Sequence, residues 1–199
     1  DTGEGIGWEA QLEALGKIFN KESEAKKAIE EDQKRFSDVK EKLPNLSGKT
    51  GIVSQFAQGS FGAVADPEDP GASFIYDLDM KFPDKLTDGS VPVDKGRVTL
   101  SPENVSYLAA DFMVIYNRTG SIEEVENIPG YKDLPQVKSD ATLAGDEAVV
   151  AGLNNPTSLS RAWVLDKTMP TLEKVGVQFV PDVAPYEHMK IRILNGGHA

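Results

Sequence analysis

Only two histidines occur among the 199 residues, His188 and His198, and there is no cysteine. Residues 1–187 therefore hold neither an imidazole nor a thiol. A Ser-His-Asp triad, a thiolate nucleophile, a zinc ribbon and a histidine-based metal site each need one or the other. What remains is carboxylates, amines, guanidiniums, amides and hydroxyls, groups suited to holding a ligand. Gly3, Gly5 and Gly7 form a Gly-x-Gly-x-Gly run. No strand precedes it, so the dinucleotide-binding fingerprint fails.

Charge narrows the partners. The net charge is −11, and Asp182, Glu187, Lys190 and Arg192 cancel within residues 176–199, so residues 1–175 carry the whole excess. An acidic body disfavours nucleic acid, whose affinity comes mainly from neutralised phosphates. It equally disfavours a simple electrostatic membrane anchor, and it confers solubility. Hydrophobic content of 39% and charged content of 27% are ordinary for a globular chain. No apolar run approaches the ~18 residues that span a bilayer. Residues 1–30 lack the basic start and apolar run of a secretory leader.

The elements that position these groups read as follows. Trp8, Leu12, Leu15 and Phe19 recur at helical spacing over residues 7–19. A break at Asn20 leads to a second helix over 21–43, with Ala25, Ala28, Ile29, Phe36, Val39 and Leu43 on one side and Glu and Lys on the other. Pro44 and the segment to Gly48 stop it. Thr50–Phe56 reads as a strand, followed by a Gly-, Pro- and Asp-rich loop through Ala72. Phe74–Met80 fits helix or strand, and residues 81–100 are turn-rich. Ser101 is the expected N-cap of a helix that has Pro102 first and Glu103 in its first turn. Phe112–Tyr116 is a buried-type strand, and Asn117–Gly120 a polar loop at its end. Residues 121–140 hold a short helix, 141–150 a further strand, and Asn154–Ser158 a loop. A last helix over Leu159–Val175 is led by Ser158 or Ser160. Alternating helices and apolar strands predict an α/β three-layer sandwich with a mostly parallel sheet.

Five blocks in this order resemble the C-terminal half of the siderophore- and cobalamin-type solute-binding proteins of ABC importers. Gly7–Leu43 resembles the long interlobe helix and its successor, and 46–56 (LSGKTGIVSQF) the first strand of the C-terminal lobe. Residues 100–117 (LSPENVSYLAADFMVIYN) resemble a Ser-x-Glu helix followed by a buried strand. Residues 130–143 (GYKDLPQVKSDATL) and 156–173 (PTSLSRAWVLDKTMPTLE) resemble a Leu-Pro segment and the closing helix. Gln136, where Ala is commoner, and Ser139-Asp140, where Gly-Arg is usual, read as surface changes. The resemblance implies an interlobe helix region over 1–43 and a lobe over 44–175. It also implies a missing N-terminal lobe, an extracytoplasmic protein with a possible lipid anchor in the parent, and no enzymatic activity. The implied partners are a ferric siderophore and the importer permease. No resident cofactor is expected, iron arriving only as a pre-formed chelate. An acidic body suits a neutral or cationic hydroxamate chelate, though local arginines can reverse that preference.

Ligand sites in such sheets lie beyond the carboxyl ends of parallel strands. That rule selects the loops 55–61, 116–119 and 154–158. Phe56, Phe61 and Tyr116 are candidates to pack against the organic shell. Arg118, Asn155 and Arg161 are candidates to donate hydrogen bonds to chelating oxygens. Glu103 matches the glutamate that, in this family, docks into an arginine pocket of the permease.

Residues 176–199 resemble instead the active-site segment of mannitol and other long-chain polyol dehydrogenases, with the pattern Lys-x4-Asn-x2-His at Lys190, Asn195 and His198. Projected on a helix the three fall within an arc of about 140°. A lysine base with polarising Asn and His partners suits polyol oxidation. A fragment of an NAD-dependent polyol dehydrogenase is therefore the alternative, opposed by the failed dinucleotide fingerprint. A third reading is an α/β interaction domain without a small-molecule site.

Overall fold

The computed structural model describes residues 7–176. Two helices come first, α1 (Trp8–Phe19) and α2 (Glu22–Lys42). Asn20 separates them in a left-handed conformation (φ 52°), which asparagine tolerates better than most residues. Gly16 lets the helices approach, since a Cβ there would lie 2.9 Å from that of Ala25. On α2 the buried residues are Ala25, Ile29, Asp32, Phe36 and Val39, a single helical stripe with one carboxylate in it. The opposite face carries exposed pairs such as Lys26–Glu30 and Lys34–Asp38, which water and salt screen.

The sheet contains β1 (Gly51–Ala57), β2 (Ser60–Val64), β3 (Val93–Asp94), β4 (Arg97–Leu100), β5 (Phe112–Asn117) and β6 (Thr142–Ala144), in the order β3-β4-β2-β1-β5-β6. Strands β1, β5 and β6 are parallel neighbours, while β2 and β3 reverse through hairpins. Four of the six strands (β1, β4, β5, β6) thus share one direction, which is the sense in which the sheet is mostly parallel.

Both hairpins turn through two residues with positive φ. These are Gln58 and Gly59 (51° and 78°), then Lys95 and Gly96 (49° and 77°). Such left-handed pairs match the twist of the flanking strands. The stretch expected to be loop from Phe56 to Ala72 therefore contains β2, and the turn-rich stretch 81–100 contains β3 and β4. Gln-Gly and Lys-Gly are weaker hairpin signals than Asn-Gly, and Gly62 interrupts the apolar alternation of β2.

Alternate residues feed two cores. Val53, Val64 and Val114 pack with α2, α3 (Ser73–Asp77), α7 (Glu147–Asn154) and α8 (Ser158–Leu172). Ile52, Met113 and Ile115 face the other way, against α4 (Asp84–Thr87), the 3-10 helix Pro102–Leu108, α5 (Ile122–Glu126) and the Leu134 region leading into α6 (Pro135–Lys138). These are the three expected layers. Helix α3 settles the ambiguity at Phe74. The strand expected within 141–150 is β6, and helix α7 begins before that stretch ends, its start capped by the Asp146 carboxylate, which accepts the Val149 N–H at 2.9 Å.

Three local expectations are corrected. Ser101 does not cap the following helix; its hydroxyl donates to the Glu103 carboxylate at 3.1 Å, and the helix is a kinked 3-10 segment. Thr157, not Ser158 or Ser160, caps α8, in a reciprocal box with Ser160. Gln136 is not a surface change. It is fully buried, accepting the Ala110 N–H at 3.0 Å and donating to the Leu108 carbonyl at 2.6 Å. It thereby satisfies two backbone groups just ahead of β5.

Candidate ligand-binding site

The β1–β5 register sets Gln55 beside Tyr116 and Phe56 beside Asn117. Because side chains alternate along a strand, Phe56 and Tyr116 belong to opposite faces of the sheet. Phe56 is half-buried, its ring 4.9 Å from that of Phe61. Phe61 is completely buried in the core with Leu100 and Leu108, so it supports Phe56 and offers no surface to a ligand. That corrects its expected role. The Arg118 N–H donates to the Phe56 carbonyl at 2.8 Å, extending the ladder one residue past β5 and leaving the side chain exposed. Phe56 and Arg118 therefore share one edge.

Asn117 shapes the loop that follows. Its Oδ1 accepts the N–H groups of Thr119 and Gly120 at 3.1 Å each, and its Nδ2 donates to the Ser121 carbonyl at 2.6 Å. A Cβ at Gly120 would collide with the Glu124 carboxylate. Glu103 lies near this edge of the sheet: it is exposed and follows Leu100, the residue paired with Phe61.

Two other candidates lie elsewhere. Asn155 is exposed at the end of α7 beside Asn154, which accepts a hydrogen bond from Arg97 at 3.2 Å. Arg97 starts β4, whereas Phe61 pairs with its last residue, Leu100. Asn155 is thus not brought to the edge of Phe56 and Arg118. Arg161 is 3% exposed and belongs to the interior. Its Nε donates to both oxygens of Asp32 (3.1 and 3.0 Å), Nη1 to Ser73 (2.9 Å) and Nη2 to Asp77 (2.7 Å). The guanidinium stacks 4.1 Å from the Phe36 ring and 5.2 Å from that of Trp8. It fastens α1 and α2 to the lobe, and its burial there leaves it no surface to offer cargo.

On the sheet face of Tyr116 the structure assembles a row that the sequence did not reveal. Tyr116, Gln55, Gly62 and Thr99 align across β5, β1, β2 and β4. A hollow of about 130 Å³ opens at this row, lined by Gln55, Gly62, Thr99 and Arg97 and by apolar residues that include Val53 and Val150. The available signal was the alternation Arg97-Val98-Thr99-Leu100, polar and apolar by turns. Among the described residues, no cluster of three or more His, Asp or Glu is arranged to hold a metal.

A three-layer α/β lobe, entered through a helix pair and edged by an aromatic ring, an exposed guanidinium and an open polar row, makes a candidate ligand-binding module. Residues 1–148 match the periplasmic binding protein family, and the chain belongs to that family. The fold is shared with a periplasmic binding protein component of a ferrichrome ABC transporter from Bacillus subtilis (TM-score 0.72, 18% identity, 90% of this chain and 67% of that one). It is shared too with PiaA of Streptococcus pneumoniae in complex with ferrichrome (TM-score 0.62, 19% identity, 86% and 60%). A short likeness of another kind exists, to mannitol 2-dehydrogenase of Cereibacter sphaeroides. It is 52% identical over 56 residues, 24% of this chain and 12% of the enzyme. Lys190, Asn195 and His198 lie outside the described residues. The chain thus spans about 60% of PiaA and about an eighth of the dehydrogenase. No helix among the described residues is long and apolar enough to cross a membrane.

Proposed function

We propose that the chain is one lobe of an extracytoplasmic binding protein that captures a ferric siderophore and delivers it to the permease of an ABC importer. Membership of the periplasmic binding protein family carries this reading. The ferrichrome-bound PiaA, with its shared fold, supports the choice of cargo. Phe56 offers an aromatic surface and Arg118 a forked donor at one edge, while Tyr116 flanks the polar row on the other face. Iron comes as a finished chelate, with coordination filled by the siderophore. A second, N-terminal lobe closes over the cargo, and Glu103 meets guanidinium groups on the permease. The partial match to mannitol 2-dehydrogenase favours a second reading, a piece of a polyol dehydrogenase acting through Lys190, Asn195 and His198. That reading requires a nicotinamide site elsewhere.

Titration of the intrinsic fluorescence of Trp8 and Trp163 with ferric hydroxamates and catecholates, alongside NAD and mannitol, separates the two. Saturable quenching by a ferric chelate alone is expected. A response to NAD without one to any ferric chelate would refute the binding-protein reading.

A further inference from the structure

Three of the seven large apolar side chains exposed among the described residues fall within five positions at the end of α1: Leu15 (50% exposed), Ile18 (70%) and Phe19 (67%). They stand on a part of the helix pair that the lobe does not cover. Neither core includes a residue of α1, and of the apolar stripe on α2 only Phe36 and Val39 belong to one. Beside these side chains a groove of about 350 Å³ runs between the two helices. Gly16, which has no side chain, and Ala25 lie at its base, and Leu12, Leu15 and Phe19 line it. The two charged residues that line it, Lys21 and Glu24, neutralise each other at 2.6 Å. Ile18 does not line the groove. Three residues from Leu15, it projects from the same flank of α1.

We propose that this face is a self-association site, on which a second copy of the chain docks its own α1–α2 pair about a two-fold axis. An isologous contact needs one surface to supply both a recess and what fills it. Here each copy carries the groove and, beside it, Ile18, which enters the groove of the other copy. Charge selects the same occupant. At a net charge of −11 two copies repel on approach, and the cost is lowest where a surface is internally neutral, as the Lys21–Glu24 pair makes this one. The paired hairpins form a four-helix arrangement that covers Leu15 and Phe19. Three side chains and one short groove place the contact at the weak end of specific interfaces, so pairs and single chains exchange. The association does not depend on which ligand the lobe takes.

Sedimentation velocity of the full chain from roughly 1 μM to 1 mM tests it, and a monomer–dimer equilibrium is expected. Leu15→Lys and Ile18→Glu should each raise the dissociation constant at least roughly tenfold. Leu159→Lys, at an 83% exposed position on α8, should leave it unchanged. All three side chains are half or more exposed, so an unchanged thermal midpoint is expected for each variant. A second measurement needs no variant: on dilution of the 15N-labelled chain, the amide shifts that change should centre on residues 12–25. A chain that stays monomeric throughout overturns the proposal. So does a dimer that Leu15→Lys and Ile18→Glu leave intact, or a set of dilution shifts centred elsewhere.

Discussion

Arg161 on α8 and Asp32 on α2 face each other at 3.0 Å with side chains 3% and 1% exposed. Asp32 sits in the apolar stripe of α2, where any other polar residue without a partner would be costly. The pair, with its guanidinium against the rings of Phe36 and Trp8, makes the helix pair part of the lobe. Replacing Arg161 by Met leaves Asp32 buried and unpaired, and is expected to cost about 3–5 kcal/mol in urea unfolding. Adding Asp32→Leu to that variant should recover most of the loss. If Arg161→Met alone is neutral, the pair does not hold the helices.

Gln136 sets a second test. Gln136→Ala strands the Ala110 N–H and the Leu108 carbonyl away from water. A loss of about 1–3 kcal/mol is expected, whereas Ser139→Gly nearby should change stability by less than about 0.5 kcal/mol. Equal effects from the two would contradict the buried role.

Asp111 ties the start of β1 to the start of β5 and gives a pH dependence. Burial pushes its pKa up, but the Thr50 N–H and hydroxyl, with the Lys49 ammonium, outweigh burial and hold the carboxyl below its ordinary value of 3.8. The unfolded chain takes up the proton first as pH falls. The contribution is therefore fully present above about pH 4 and fades as pH drops through the folded value. Because the group is partly exposed, its size is under about 1 kcal/mol. Asp111→Asn should unfold at lower urea than the parent at pH 7, with the gap closing toward pH 3.

Glu103 is exposed, and among the described residues its carboxylate accepts a hydrogen bond from Ser101 alone. Glu103→Ala should leave stability within about 0.5 kcal/mol and cargo affinity unchanged, while the reconstituted permease loses stimulation of ATP hydrolysis. Full stimulation by the variant would remove Glu103 from the docking surface.

What the sequence disclosed follows a physical divide. Helices α1 and α2 and strands β1 and β5 carry long or wholly apolar patterns, and their positions were legible to within a residue or two. Strands β2, β3 and β4 are two to five residues long and are held by neighbours rather than by their own composition. The Tyr116–Gln55–Gly62–Thr99 row depends on one hairpin pairing and on two pairings between residues distant in sequence, so local pattern does not bring it together. The same limit misplaced Arg161 and Phe61. A strand-end aromatic and a helical arginine look alike in sequence whether they face solvent or a core, and only the register and the α2–α8 contact distinguish the two cases.

Equilibrium dialysis of the full chain against radio-iron-labelled ferric siderophores, with labelled NAD in parallel, bears most directly on the proposed role. Retention of one ferric chelate at a saturable single site, with NAD equal on both sides of the membrane, is the predicted result. Retention of NAD with free passage of every ferric chelate would contradict the account.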